Sequence, residues 1–391
     1  MDLGELLQTP TPKPIKAGRT GDWTFSQSFD PHDPQSSTIE ATTTEQVKGD
    51  EAIKQFILAQ GGVIPTGYRA VLVEARHQTH GWTRSTASSA AVTRPTWFYR
   101  FRIEPDANRS NIDELIALVG KKKPAKPAPT STDVVLHLLI GDTQIGKDLD
   151  GDGTAGIIRR WNQSLETAIT RWRNAGRPPV HIALVGDCIE GNQSQNGRNM
   201  WRSRLTVTEQ TRILRRMLLA HIEAFITAPQ VWLSVVNGNH DQLQRFQETR
   251  ADDGHATEAA IAVADALAVN PERYKHVTIH VPAIDEDHLV VDFNGTVMVL
   301  VHGHQWARGK SMDWWAGQSF NLHAAQAGHI LVHGHEHEFS IRSKRDRLVL
   351  CTPTMESEST WWKHKTGDVA KRGAIIMVTR PGGEFAGLEV I

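Results

Sequence analysis

From residue 134 onward, continuous apolar runs alternate with stretches of helical spacing. VVLHLLI (134–140), VHIALV (180–185) and VWLSVV (231–236) are the pattern of strands buried on both faces. Between and after them, residues 156–176, 208–228 and 256–269 place apolar side chains at helical intervals, the first ending at Gly176. Farther along, HLVVDFNGTVMVLVHGH (288–304) predicts a hairpin turning at Asn294-Gly295. HILVHGHEHEF (329–339), RLVLCTPTM (347–355) and GAIIMVT (373–379) add strands. Strand–helix alternation followed by hairpins predicts an α/β fold of mixed sheets covered by helices.

Before residue 134 the pattern weakens. Residues 1–45 are rich in Pro, Thr, Ser, Asp and Gln and are read as a flexible segment. In residues 46–119 a short helix (with Asp50 as N-cap and Gly61 as stop) precedes two alternating stretches, YRAVLVEAR and TWFYRFRI. That predicts a small α+β accessory domain, a winged helix among the options. Its strands interleave Arg69, Arg76, Arg84, Arg100 and Arg102 with Tyr68, Trp82, Trp97, Phe98 and Tyr99. Arg beside aromatics suits contact with nucleic acid, and equally a small core with a charged outer face. The Lys/Pro-rich stretch 120–132 is read as a linker, and 133–391 as the catalytic domain.

Bulk properties exclude several classes. The formal net charge of -1 gives no global field toward nucleic acid, so such binding has to come from local patches. No apolar run is long enough to span a membrane, and the N-terminus lacks the pattern of a secretory signal. Two cysteines, Cys188 and Cys351, are too few for a disulfide framework. A cytoplasmic setting is expected.

Chemistry gathers at the strand ends. The runs lead into Asp142 and Gln144, Asp187 and Glu190, Asn239-His240-Asp241, His302 and His304, and finally His335 and His337. Carboxylates, an amide and imidazoles on short turns form an N/O donor set for Mn²⁺, Fe, Zn²⁺ or Ni²⁺ rather than Ca²⁺. The donors are too many for one ion. A shared carboxylate would let them hold two ions, roughly 3.5–4 Å apart in sites of this kind. The word VHGH occurs twice because two adjacent strands deliver imidazoles to one site.

The order Asp-x-Gln, Gly-Asp, Gly-Asn-His-Asp, His and Gly-His-x-His resembles that of calcineurin-like metallophosphoesterases over about residues 133–380. The resemblance implies a four-layer α/β/β/α sandwich of two mixed sheets. It places the first ion on Asp142 and His337, with Asp187 bridging and Asn239, His302 and His335 holding the second. His240 would stand beside the scissile phosphate, oriented by Asp241. One position departs, because Gln144 stands where the family has His. An amide oxygen still ligates, but more weakly, which favours Mn²⁺, with Mg²⁺, Fe or Zn²⁺ as alternatives. Glu190, His304, Arg308 and Lys310 are candidates for the substrate side.

Other signals are set aside. DLDGDG (148–153) begins like a calcium loop, but Arg159 stands where its bidentate Glu belongs, so it is read as a turn into a helix. His333 is read as a strand residue, and Cys188 as buried. The basic stretch 202–216 is a solvated helix face or a guide for a phosphate backbone. The leading expectation is a DNA nuclease similar to the Mre11 and SbcD nucleases, as found in phages, with a homodimer and a separate ATPase as partners to consider. A small-nucleotide phosphatase or phosphodiesterase is the alternative, and a non-catalytic metal-binding protein is a third.

Overall fold

A computed structural model of the chain describes the strands and helix of residues 15–105, then 111–129, 133–148, 151–192, 205–243, 249–356 and 371–391, with isolated positions between. Residues 1–14, Gly61, Arg84 and Arg202 lie outside the described residues. The chain divides into two compact units, 1–110 and 111–391.

The first unit is a five-stranded antiparallel sheet with a helix, plus a two-stranded antiparallel pair of Trp82–Thr83 with Val92–Thr93. Its strands are β1 (Ile15–Thr20), β2 (Trp23–Ser28), β3 (Thr38–Thr43), β4 (Tyr68–Gln78) and β5 (Thr96–Pro105), in the order β1-β2-β3-β5-β4. Helix α1 (Asp50–Ala59) buries Ile53 and Ile57 with Phe25, Ile39, Tyr99 and Phe101 of the sheet. This corrects two expectations. Three strands occupy residues that read as flexible, and among the described residues the five-stranded sheet with one helix is not a winged helix. Strand pairing, rather than local pattern, orders 15–43: Phe25 pairs with Ala41, and Ile39 with Phe101.

The second unit begins with α2 (Asn111–Gly120), nine residues before the expected linker. The Lys/Pro stretch after it is held on this unit. Asn270 donates to the carbonyls of Val119 and Lys122 at 3.1 and 2.8 Å, and Ala128 N–H donates to Thr227. Strands β6 (Val135–Ile140), β7 (Val180–Val185), β8 (Val231–Val236) and β9 (Val277–His280) run parallel. A second sheet holds β10 (His288–Phe293), β11 (Thr296–Val301), β12 (Ile330–His333), β13 (Ser340–Lys344) and β14 (Arg347–Cys351). The antiparallel strands β15 (Ile375–Arg380) and β16 (Glu384–Val390) return to the first sheet beside β6. The orders are β9-β8-β7-β6-β15-β16 and β10-β11-β12-β14-β13.

The sheets face each other across a core that includes Leu139, Val185 and Val236 on one side and Phe293, Leu300 and Val332 on the other. Helices α3 (Gly153–Asn174), α4 (Val207–Ala224) and α5 (His255–Ala268) cover the first sheet, followed by the short α6 (Pro271–Tyr274). Thr206 and Glu209 close a reciprocal capping box at the start of α4. Helix α7 (Ser311–Phe320) covers the second sheet, with Trp315 against Val299, Val301 and Leu331. The result is the α/β/β/α sandwich of two mixed sheets.

A polar ladder crosses the first sheet inside the core. Thr379 Oγ1 meets His137 Nε2 at 2.8 Å, His137 Nδ1 meets His181 Nδ1 at 2.9 Å, and His181 Nε2 meets Ser234 Oγ at 3.0 Å. A neutral imidazole has one donor and one acceptor, so each ring can satisfy both neighbours. Burial lowers His137 to about 3 and His181 well below its usual value, with His137 and His280 adding to the latter shift. An unfolded His titrates near 6.5. Below that pH the unfolded chain takes up protons that the folded ladder refuses, so this contribution is present above about pH 6.5 and is lost as pH falls. In metal-free protein, the difference in Tm between wild type and His137→Asn should narrow from about pH 7 to about pH 5. A constant difference would show that His137 is not held neutral.

Candidate metal centre and active site

Parallel strands end on one edge, and that edge is the site. Asp142 follows β6, Asp187 follows β7, Asn239 and His240 follow β8, His302 follows β11, and His335 and His337 follow β12. Four of these turn residues, and Gln144 beside them, lie in the left-handed region: Asp142 (φ 50°), Gln144 (41°), Asp187 (50°), His335 (66°) and His337 (54°). Such conformations cost about 1–3 kcal/mol each, and their concentration here marks a site that the rest of the fold sustains. Two glycines permit the close packing. A Cβ on Gly238 would lie 2.1 Å from Asp187 Oδ1, and one on Gly334 would lie 2.6 Å from Asp142 Oδ2.

The donors form two groups that share Asp187. One is Asp187, His302 and His335, and the other is Asp142, Asp187 and His337, each with its ligand atoms within 4.8 Å of one another. His302 Nε2 is 3.2 Å from Asp187 Oδ2, and His337 Nε2 is 3.3 Å from Asp142 Oδ1. Backbone N–H groups aim the carboxylates, since His240 N–H donates to Asp187 Oδ1 at 2.8 Å and His335 N–H donates to Asp142. His302 Nδ1 is engaged by the Val185 carbonyl at 2.8 Å, which presents Nε2 to the site. Asn239 Oδ1 is buried without a hydrogen-bond partner. An orphaned buried amide oxygen beside carboxylates and imidazoles fits a divalent cation.

His240 is held by Glu190, and this corrects the expected role of Asp241. His240 Nδ1 lies 3.2 Å from the Glu190 carbonyl and 3.4 Å from Glu190 Oε2, while Nε2 lies 3.8 Å from Asp187 Oδ2. Asp241 instead accepts backbone N–H groups from Cys188, Ile189 and Gly238, tying the β7 turn to the β8 turn. The reason is geometric. Asp241 follows His240 directly and points back under the turn, whereas Glu190 comes across from the neighbouring strand end. Burial opposes charge on His240, but Asp187 and Glu190 outweigh it and push its pKa up to about 10. Burial likewise opposes charge on His302, and Asp187 and Asp142 raise it to about 9.

Gln144 has other partners on both amide atoms. Its Oε1 lies 3.3 Å from Lys147 Nζ, and its Nε2 lies 3.4 Å from His240 Nε2. Lys147 is buried and also pairs with Glu356, whose other oxygen is 2.8 Å from His337 Nδ1. Burial opposes ionisation of Glu356, but His337 and Lys147 hold its carboxyl down at about 2. Sequence reasoning missed Lys147 and Glu356. The available signal was a lysine three residues after a strand-end motif. Glu356, 209 residues from Lys147, had none.

The remaining candidates are more peripheral. His304 is exposed, with its ring 5.5 Å from His302 and 6.3 Å from His335. Arg308 pairs with Glu338, and Lys310 with Asp313 at 2.9 Å. In the basic stretch, Arg212 and Arg216 pair with Glu114, and Arg215 pairs with Glu258. In the N-terminal unit Tyr99 is core, and Arg100 pairs with Glu40 and Glu74. His333 is a buried strand residue, and Asp148 caps the turn into α3 through the Thr154 N–H at 3.3 Å.

No family model and no curated protein matches this chain. Among solved structures, it is similar to an archaeal phosphodiesterase at 14% identity, with 66% of this chain and 99% of that chain covered and a TM-score of 0.30. It is similar to Vacuolar Protein Sorting 29 from Cryptosporidium parvum at 17% identity, over 66% and 99% of the two chains, with a TM-score of 0.28. A conserved protein of Streptococcus pneumoniae TIGR4, described as a predicted phosphoesterase, gives 12% identity over 63% and 83%, with a TM-score of 0.26. The functional reading rests on the side chains of the site.

Gly238→Ala should displace Asp187 and weaken divalent-metal binding by about 10–100-fold, the usual scale for losing the support of a ligand. Metal titration of the folded variant checks this, and unchanged affinity would show that the Gly238 turn does not position the site.

Proposed function

We propose that the chain is a metal-dependent phosphodiester hydrolase of the calcineurin-like type, acting on DNA. The observation that carries the reading is the pair of donor groups sharing buried Asp187, with His240 directly beside it. Asp142 and His337 would serve one side of Asp187, and Asn239, His302 and His335 the other. Divalent cations bound there would neutralise phosphoryl oxygens and acidify the attacking water, with Mn²⁺ favoured by the mixed carboxylate, amide and imidazole set.

The chain's own residues supply the rest. The Glu190 carboxylate and carbonyl engage His240 Nδ1, so the Nε2 face is turned toward the reacting group. A proton on Nε2 can be donated to the leaving oxygen as the ester bond breaks, a contribution typically worth about 10²–10⁴-fold. Asp241 keeps the two turns at their spacing through its backbone hydrogen bonds. No helix among the described residues is long and apolar enough to cross a membrane.

DNA as the substrate is supported by the additional N-terminal unit and by the twelve tryptophans of the chain. A homodimer and a separate ATPase partner belong to the same proposal. One observation favours a second reading, a small-nucleotide diester as substrate. Arg212, Arg215 and Arg216, placed to guide a phosphate backbone, are paired with acids of the same unit.

The test is hydrolysis of labelled single- and double-stranded DNA and of bis-p-nitrophenyl phosphate with Mn²⁺. Wild type should cleave DNA, and His240→Ala should lose about 10²-fold or more in kcat. Turnover of the small diester with DNA intact would support the second reading. No hydrolysis of either would contradict the proposal.

A further inference from the structure

The Asp142 half of the donor set carries a buried ion pair, Lys147–Glu356, that the other half lacks. Lys147 is 6% exposed, and lysine is almost never buried this deeply unless it is paired. Its partners lie on the Asp142 side. Lys147 pairs with Glu356, Glu356 Oε1 meets His337 Nδ1 at 2.8 Å, and His337 Nε2 stands 3.3 Å from Asp142 Oδ1. The same ammonium lies 3.3 Å from Gln144 Oε1. An ammonium has donors only, so the amide atom turned toward it has to be the oxygen, which leaves the amide nitrogen facing His240. Gln144 therefore turns its metal-binding oxygen toward a lysine. On the other side, Asp187 and His302 are held by backbone groups and imidazoles, and Asn239 Oδ1 is buried without a partner.

We propose that Lys147 supplies, at the Asp142–His337 half, the positive charge that a second metal ion would otherwise bring. The chain then holds one divalent cation tightly on Asp187, Asn239, His302 and His335, and a second at least about tenfold more weakly. This rests on the metal-dependent reading above. Two physical terms act together. A fixed ammonium repels a nearby dication in a poorly screened interior, and a neutral amide already engaged by that ammonium is a poorer donor than an imidazole. Lys147 is a positioning residue in this scheme, acting on His337 through Glu356 and on Gln144 directly.

The experiment is metal stoichiometry. Metal-free protein is dialysed against graded Mn²⁺, bound metal is counted by mass spectrometry, and the Mn²⁺ signal is read by electron paramagnetic resonance. Wild type should saturate at one ion per chain with an uncoupled spectrum, and take a second only at tenfold higher free Mn²⁺ or above. Lys147→Met should tighten the second ion by about tenfold or more and give a spin-coupled spectrum. Lys147→Arg keeps the charge and should stay at one ion. Two ions of matched affinity in wild type would overturn the proposal without needing any variant to fold, while leaving the hydrolase reading in place. No bound Mn²⁺ in wild type would overturn both.

Discussion

Two carboxylates buried at adjacent strand ends set the terms for the rest of this molecule. Asp142 is fully buried and Asp187 is 1% exposed. Removing such charges from water costs several kcal/mol per ion unless partners replace the solvent. The partners are visible: backbone N–H groups from the turns of other strands, imidazoles from the second sheet, and glycines that let these groups come close. Burial opposes charge on Asp187, yet His302 and His240 hold its pKa well below the usual carboxylate range. The sandwich is the device that brings them together, because only strands of two facing sheets ending on one edge can supply donors from residues 142 to 337.

The same constraint explains the strain. A strand that stops and reverses within two or three residues has little room, so the functional side chains themselves take the left-handed conformation. Asp142, Asp187, His335 and His337 all do so. Their backbone cost is met by burial of the strands that precede them, whose side chains form the intersheet core. Stability and site geometry are thus coupled through β6, β7 and β12.

Much of this was legible in the sequence, for a physical reason. Buried strands write themselves as short apolar runs, and metal donors are chemically distinctive residues that sit directly after them. Asp142, Asp187, Asn239, His302, His335 and His337 could therefore be named from local pattern alone, and the structure brings them to one edge. What stayed hidden depends on contacts between distant positions. Glu190 rather than Asp241 holds His240 because the neighbouring strand end reaches across. Lys147 and Glu356 meet from opposite ends of the domain. The strands of residues 15–43 read as loop because their order comes from pairing with one another and, through β3, with β5, not from their own pattern. Helix α2 read as part of an accessory domain, yet Glu114 on it pairs with Arg212 and Arg216 of α4.

If these strand ends hold a divalent cation, anomalous diffraction from crystals soaked in Mn²⁺ will locate it. The expected result is a strong peak bounded by Asp187, Asn239, His302 and His335. An empty site at saturating Mn²⁺, or a peak only at surface carboxylates such as Glu286 and Asp287, would contradict it.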